Sequence, residues 1–304
     1  MSHELHHFTM GLWVFFLAYA TSVVGSYVGL SCVRQSFKDD GKNARMRWLA
    51  TASLAIGGVG IWLMHFIGMM GFAVPGSTIR YAFAPTLFSV VLAIGATLFG
   101  LWIVDSRAEW KARVPRGIPL TVGGLVMGLA VSLMHYSGMA AIRIKGTIEH
   151  DQAFVIASIV IGVVASTAAL WLAGVAERLP ARAAAALIMG CAVVALHYTG
   201  MAGVKATIDP SAADPEGLTV LSVLFPAFVL GILVIALPSL RCCSPRIVRT
   251  FAVKPRSRSG WTPAIPRTFL FRRPRRTSHL GTSSGRRCVS PSFRSGRYGV
   301  ALKI

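Results

Sequence analysis

Charge is the scarce commodity in this 304-residue chain: 14% of its residues are Asp, Glu, Lys or Arg, against about 25% in soluble domains. Hydrophobic residues make up 54% and mean hydropathy is +0.61. Water cannot solvate a surface that apolar, which excludes an ordinary soluble domain. Acids are scarcer still, 11 in all and none after Glu216. Residues 1–240 hold 15 Lys/Arg with all 11 acids, whereas residues 241–304 hold 16 Lys/Arg and no acid. The net charge of +20 is therefore mostly a property of the tail and does not mark a nucleic-acid binder. The five cysteines (Cys32, Cys191, Cys242, Cys243, Cys288) lack the paired spacing of a disulfide framework or a zinc site. The last apolar run, 218–240, has no lysine to carry a retinal Schiff base. No residue suggests an enzyme. A basic stretch ahead of the first apolar run is missing too, so that run reads as a retained helix, not a cleaved signal.

What is present is long apolar runs, at about 8–33, 48–74, 82–104, 118–142, 153–175, 183–204 and 218–240. Each is long enough to cross roughly 30 Å of hydrocarbon. The expected fold is all-α, a polytopic membrane bundle of seven transmembrane helices whose solvent is the lipid bilayer. Lys and Arg set the orientation. Segments 34–47, 105–117, 176–182 and the tail carry 27 of them, and the opposite connections carry four: Arg80, Arg143, Lys145 and Lys205. The N-terminus is expected outside and the C-terminus inside; without the tail the count is still 11 against 4.

The chain also repeats. Runs two, four and six each read Gly, six residues, then His-aromatic-x-Gly-Met: Gly58 to His65-Phe66-Ile67-Gly68-Met69, Gly128 to His135-Tyr136-Ser137-Gly138-Met139, and Gly190 to His197-Tyr198-Thr199-Gly200-Met201. A helical hairpin used three times, with a seventh helix added, is the expected build of a 1–240 membrane domain. Residues 241–304, rich in Arg, Ser, Pro and Gly, have the composition of a disordered cytoplasmic tail. That tail fits binding to anionic head groups, an incidental extension or translation in a shifted frame.

Histidine inside an apolar helix is expensive to insert and faces the bundle interior. Runs two, four and six cross in the same direction, so His65, His135 and His197 are expected at one depth, in the outer half of the bilayer. Met69, Met139 and Met201 follow four residues later, on the same helix face as their histidines. Imidazole and thioether with no carboxylate nearby favour copper, above all Cu(I). His6 and Met10, at the outer end of the first run, repeat the spacing and could add ligands. Against the metal stands a bland alternative, in which the histidines merely hold neighbouring helices. Tyr136 and Tyr198 could reach a ligand, though interfacial aromatics explain them more simply. Cys191 is expected to be a packing residue.

The hexapeptide Met134-His135-Tyr136-Ser137-Gly138-Met139 and its two relatives resemble the MHYT domain, a bacterial integral membrane sensor module. The resemblance covers about residues 6–240. It implies a multi-helix domain in the bacterial cytoplasmic membrane that binds copper near the outer face and senses a diatomic gas (O2, CO or NO) or redox state. The implied ligands are His65, Met69, His135, Met139, His197 and Met201, with Met64 and Met134 as further candidates. Leu196 and Phe66 depart from the pattern, so neither position can be essential to a symmetric site. Family members resemble receptor halves joined to cyclase, phosphodiesterase or DNA-binding outputs. With no such output in this sequence, a separate cytoplasmic signalling partner is expected. Copper transport and a metal-free scaffold are the competing functions.

Overall fold

The computed structural model describes residues 10–39, 41–105, 115 and 117–251, with the side chains of 105 and 241–251 excepted. Seven helices are long and apolar enough to cross a membrane: α1 (Trp13–Lys38), α2 (Lys42–Met69), α3 (Phe83–Asp105), α4 (Gly117–Ala140), α5 (Gln152–Val175), α6 (Leu179–Ala202) and α7 (Val220–Phe251). Helices are what such sequences must form. In hydrocarbon every backbone N–H and C=O needs an internal partner, and a helix supplies all of them within one segment. Hydroxyls inside the spans behave accordingly and donate back along their own helix, as Thr97 does to the Ala93 carbonyl at 2.8 Å and Ser132 to that of Gly128 at 2.9 Å. The last helix runs past residue 240, where the sequence placed the start of the tail, to Phe251. Residues 252–304 lie outside the described residues.

The first six helices form a closed ring in chain order, each packed on the next and α6 packed back on α1, with α7 outside the ring against α2 and α1. That placement makes α2 the most enclosed span, 89% buried against 17–44% for the others. Glycines permit the close approaches. A Cβ at Gly128 would strike the Val163 backbone of α5, and one at Gly190 would strike Val23 of α1. Gly58 faces Ile94 of α3. The motif glycine thus docks α4 on α5 and α6 on α1, whereas in α2 the contact at Gly58 is an ordinary one and the close approach falls to Gly57, whose Cβ would strike the Ala93 carbonyl of α3. Lipid-facing positions are large and apolar, among them Phe16, Phe88, Trp102, Leu133, Val164 and Phe225.

One feature of α2 is invisible in its sequence. Residues Leu54–Leu63 wind as a π-helix, flanked by α-helical turns at Lys42–Ser53 and Met64–Met69. Such winding is rare and frequently accompanies functional sites. Here it leads directly into the first motif.

The ends of α2, α4 and α6 are tied together by short strands that the all-α expectation did not include. β1 (Arg80–Tyr81) pairs antiparallel with β2 (Ile142–Arg143), and β3 (Gly146–His150) with β4 (Val204–Ile208). The Tyr81 and Leu218 backbones exchange hydrogen bonds of 2.8 and 2.9 Å, and Lys145 N–H donates to Ser77 Oγ at 2.8 Å. Ion pairs Lys145–Asp214 (2.9 Å) and Lys205–Asp151 (3.5 Å) lie on the same cap. All three segments that follow a motif therefore clasp one another, which holds the three motifs level. Burial of Tyr81 raises its phenol above the ordinary value.

Candidate metal centre

Each motif histidine sits within a turn or two of the strand end of its helix and is almost wholly buried, His65, His135 and His197 each being 1% exposed. They meet. His65 Nδ1 lies 3.0 Å from His197 Nδ1 and 3.2 Å from His135 Nδ1, and one nitrogen from each ring falls within 4.8 Å of the other two. Ring centroids are 5.0, 5.0 and 5.4 Å apart with planes at 80–85°, an arrangement of three blades around a common axis.

The far side of each ring explains the second glycine of the motif. A Cβ at Gly138 would collide with His65 Nε2, one at Gly200 with His135 Nε2, and one at Gly68 with His197 Nε2. Each repeat therefore supplies the glycine against which another repeat's imidazole rests, and the relation runs round the ring and closes on itself. Packing fixes the rings with Nδ1 turned to the axis. Among the described residues Nε2 of His65 and His135 has no hydrogen-bond partner. Buried polar nitrogens in that condition cost about 1–3 kcal/mol each.

The chemistry of the donor set fits a soft cation. Three nitrogens bound to one ion at about 2.0 Å would stand about 3.3–3.5 Å apart, and the observed 3.0 and 3.2 Å need only slight opening. A cavity of about 10 Å³ adjoins the rings, lined by the three histidines with Met64, Met134, Leu196, Ile61, Val131 and Val193. That is room for about one water or ion. Among the described residues no carboxylate lines it.

The structure brings together only part of the expected ligand set. Met64 and Met134, which precede their histidines, line the cavity; Met69, Met139 and Met201, which follow them, are buried but are not among the lining residues. Met10 is 47% exposed at the start of α1, and His6 lies outside the described residues. Tyr136 shares a 2.6 Å hydrogen bond with Ser158 Oγ of α5, and Tyr198 packs on Phe15 of α1 at 5.4 Å, so both side chains engage neighbouring helices. Phe66 packs between Trp62 and Tyr81. Ser137 donates to the Pro85 carbonyl at 3.3 Å. Cys191 is exposed instead of packed in the core.

Two features escaped the sequence. His150 of β3 stacks edge-on to Tyr136 at 5.5 Å; its Nε2 is buried without a partner, and burial lowers its pKa below the ordinary value. Met127 and Met189 line a second, larger cavity deeper in the bundle. Their signal was present, a Met directly before the motif glycine in two of the three repeats.

A seven-span bundle with a level, buried cluster of repeat-encoded histidines defines a class of protein: a helical membrane module built by triplication. Comparison with known proteins agrees. The family described as MHYT, bacterial signalling protein N terminal repeat, matches residues 58–115, 128–186 and 190–246, and the chain belongs to it. Each matched unit begins at a motif helix and runs into the plain helix after it, one helix later than the hairpin drawn from the sequence. The chain is 38% identical over 190 residues to the bifunctional diguanylate cyclase/cyclic di-GMP phosphodiesterase MucR of Pseudomonas aeruginosa, covering 60% of this chain and 26% of that protein. It is 32% identical over 174 residues to an uncharacterized signaling protein of Caulobacter vibrioides, covering 57% of this chain and 20% of that one. With signaling protein YkoW of Bacillus subtilis it shares 27% over 216 residues, 69% of this chain and 26% of the relative. The matches thus span about a quarter or less of these relatives' lengths. No solved structure matches. As a family member with signalling relatives, the chain is a membrane signalling module.

Proposed function

We propose that this module senses a diatomic gas (O2, CO or NO) or redox state through copper held by His65, His135 and His197, with Met64 and Met134 as the nearest thioethers. The N-terminus and the triad face the outside of the bacterial cytoplasmic membrane. The observation that carries the proposal is the convergence of three Nδ1 atoms on one axis beside a carboxylate-free cavity. Copper(I) there would supply a soft centre that takes π-acid gases and is open to oxidation. The protein's own contribution is to hold the rings by glycine contact, to exclude water, and to link three helices at one level. A change at the triad then shifts α2, α4 and α6 together. Their opposite ends carry the basic segments, where a cyclic di-GMP enzyme module, fused or separate, would read the shift. That output is inferred from the names of the relatives.

Metal analysis of the purified, Cu(I)-reconstituted protein tests the proposal. About one copper per chain is expected, lost in the His65/His135/His197 triple Ala variant. A protein that takes up none, or a triple variant that keeps it, refutes the copper centre and favours the metal-free scaffold. Copper transfer is a second reading, favoured by Met127 and Met189, which place thioethers at a second depth. Uptake of Cu(I) into proteoliposomes would distinguish it.

A further inference from the structure

Next to the triad, on the side away from the strands, lies a separate chamber of about 30 Å³. Ile61, Val131, Val193 and Leu196 line both this chamber and the triad cavity, so the two voids share a wall. Met127 and Met189 sit eight residues before their histidines, about 12 Å along the helix axis. Of the thirteen lining residues only Ser26 and Ser166 are polar. Two hydroxyls are the least that could hold one water; the remaining surface is hydrocarbon and thioether, and apolar voids of this kind stay dry and take apolar guests.

The chamber's side wall is thin. Ala165 and Ala169 of α5 and Ala192 of α6 line it and are themselves partly exposed at the lipid-facing surface. That part of the wall is built from methyl side chains. The opposite approach is closed: Tyr81 and Ile142 of the strand cap are buried, as are Phe66 and Ala141. Apolar diatomic gases concentrate in hydrocarbon relative to water, so the membrane is also where they are most abundant.

We infer that this chamber is the docking site for a small apolar gas, which reaches the triad sideways from the bilayer between α5 and α6 and not from the aqueous face. The inference rests on the gas-sensing reading for its ligand, but the site can be probed without metal.

Xenon is the probe. The wild-type protein in lipid, with or without copper, is expected to bind xenon in the chamber, seen by anomalous diffraction or by chemical-shift changes of the Met127 and Met189 methyls. Ala169→Phe should abolish the xenon signal, leave copper content unchanged, and slow CO association with the copper-loaded protein. Ala192→Leu serves as an independent plug should the bulkier change fail to fold. Xenon absent from the wild-type chamber, or unchanged CO association in both well-folded variants, overturns the inference. Xenon bound in the chamber while CO never binds the copper-loaded protein supports the chamber and sinks the gas-sensing reading instead.

Discussion

Replacing Gly138 with alanine places one methyl group against the histidine cluster without replacing any ligand residue. The added Cβ would lie 2.5 Å from His65 Nε2, whereas ordinary contact begins at 3.4 Å, so ring or helix must yield by about 0.9 Å. His65 is the worst ring to move, since its Nδ1 makes both short contacts of the triad. The ring is held between Gly138 of α4 at its Nε2 edge and the other two imidazoles at its Nδ1 edge. Overpacking of this kind costs about 1–3 kcal/mol of stability. Disturbing groups that orient ligands typically costs 10–100-fold in metal affinity. Cu(I) affinity of Gly138→Ala, measured by competition with a chromophoric chelator, is therefore expected to fall about 10–100-fold. Gly95→Ala is the control, because a Cβ there meets nothing within 4 Å. If Gly138→Ala binds copper as tightly as wild type while remaining folded, Nδ1 convergence is not what holds the ion.

The thioethers separate by position: Met64→Leu with Met134→Leu should weaken Cu(I) binding, and the triple change of Met69, Met139 and Met201 to Leu should not, read by the same competition assay. The reverse result would show that the cavity lining misidentifies the ligands. Gly128→Ala drives a methyl into the Val163 backbone and should lower thermal stability by about 1–3 kcal/mol, whereas Gly174→Ala, with open space around it, should not. His150 predicts a pH effect. Its pKa is lowered by burial, so the unfolded state binds the proton first; the stability it contributes is complete above about pH 6.5 and falls as the pH drops below that value. Hydrogen exchange of Gly146–His150 in wild type and His150→Gln checks this. Equal acid sensitivity in the two would remove His150 as the cause.

Much of the architecture was written in the chain itself. Seven apolar runs separated by polar connections leave helices as the only open solution, because no other single segment satisfies its backbone in hydrocarbon. The triplicated Gly…His-aromatic-x-Gly-Met string placed three histidines at one level, since alternate spans run in the same direction and a helix rises by a constant amount per residue. Chemistry intrinsic to residue type, imidazole without carboxylate, was legible for the same reason.

What tertiary structure alone decided is which atoms meet. Sequence spacing put Met69, Met139 and Met201 beside their own histidines along each helix, but the cavity is formed between helices, and rotation of each helix about its axis brings Met64 and Met134 to it instead. That rotation depends on the ring closure of α6 on α1, on the π-helical winding of Leu54–Leu63, and on the strands that clasp the three motif ends. The ring closure and the strand pairings are contacts between segments far apart in the chain. The role of Gly68, Gly138 and Gly200 shows the division most clearly. Their recurrence is a fact of sequence, yet each exists to leave room for an imidazole from a different repeat, which local pattern cannot reveal.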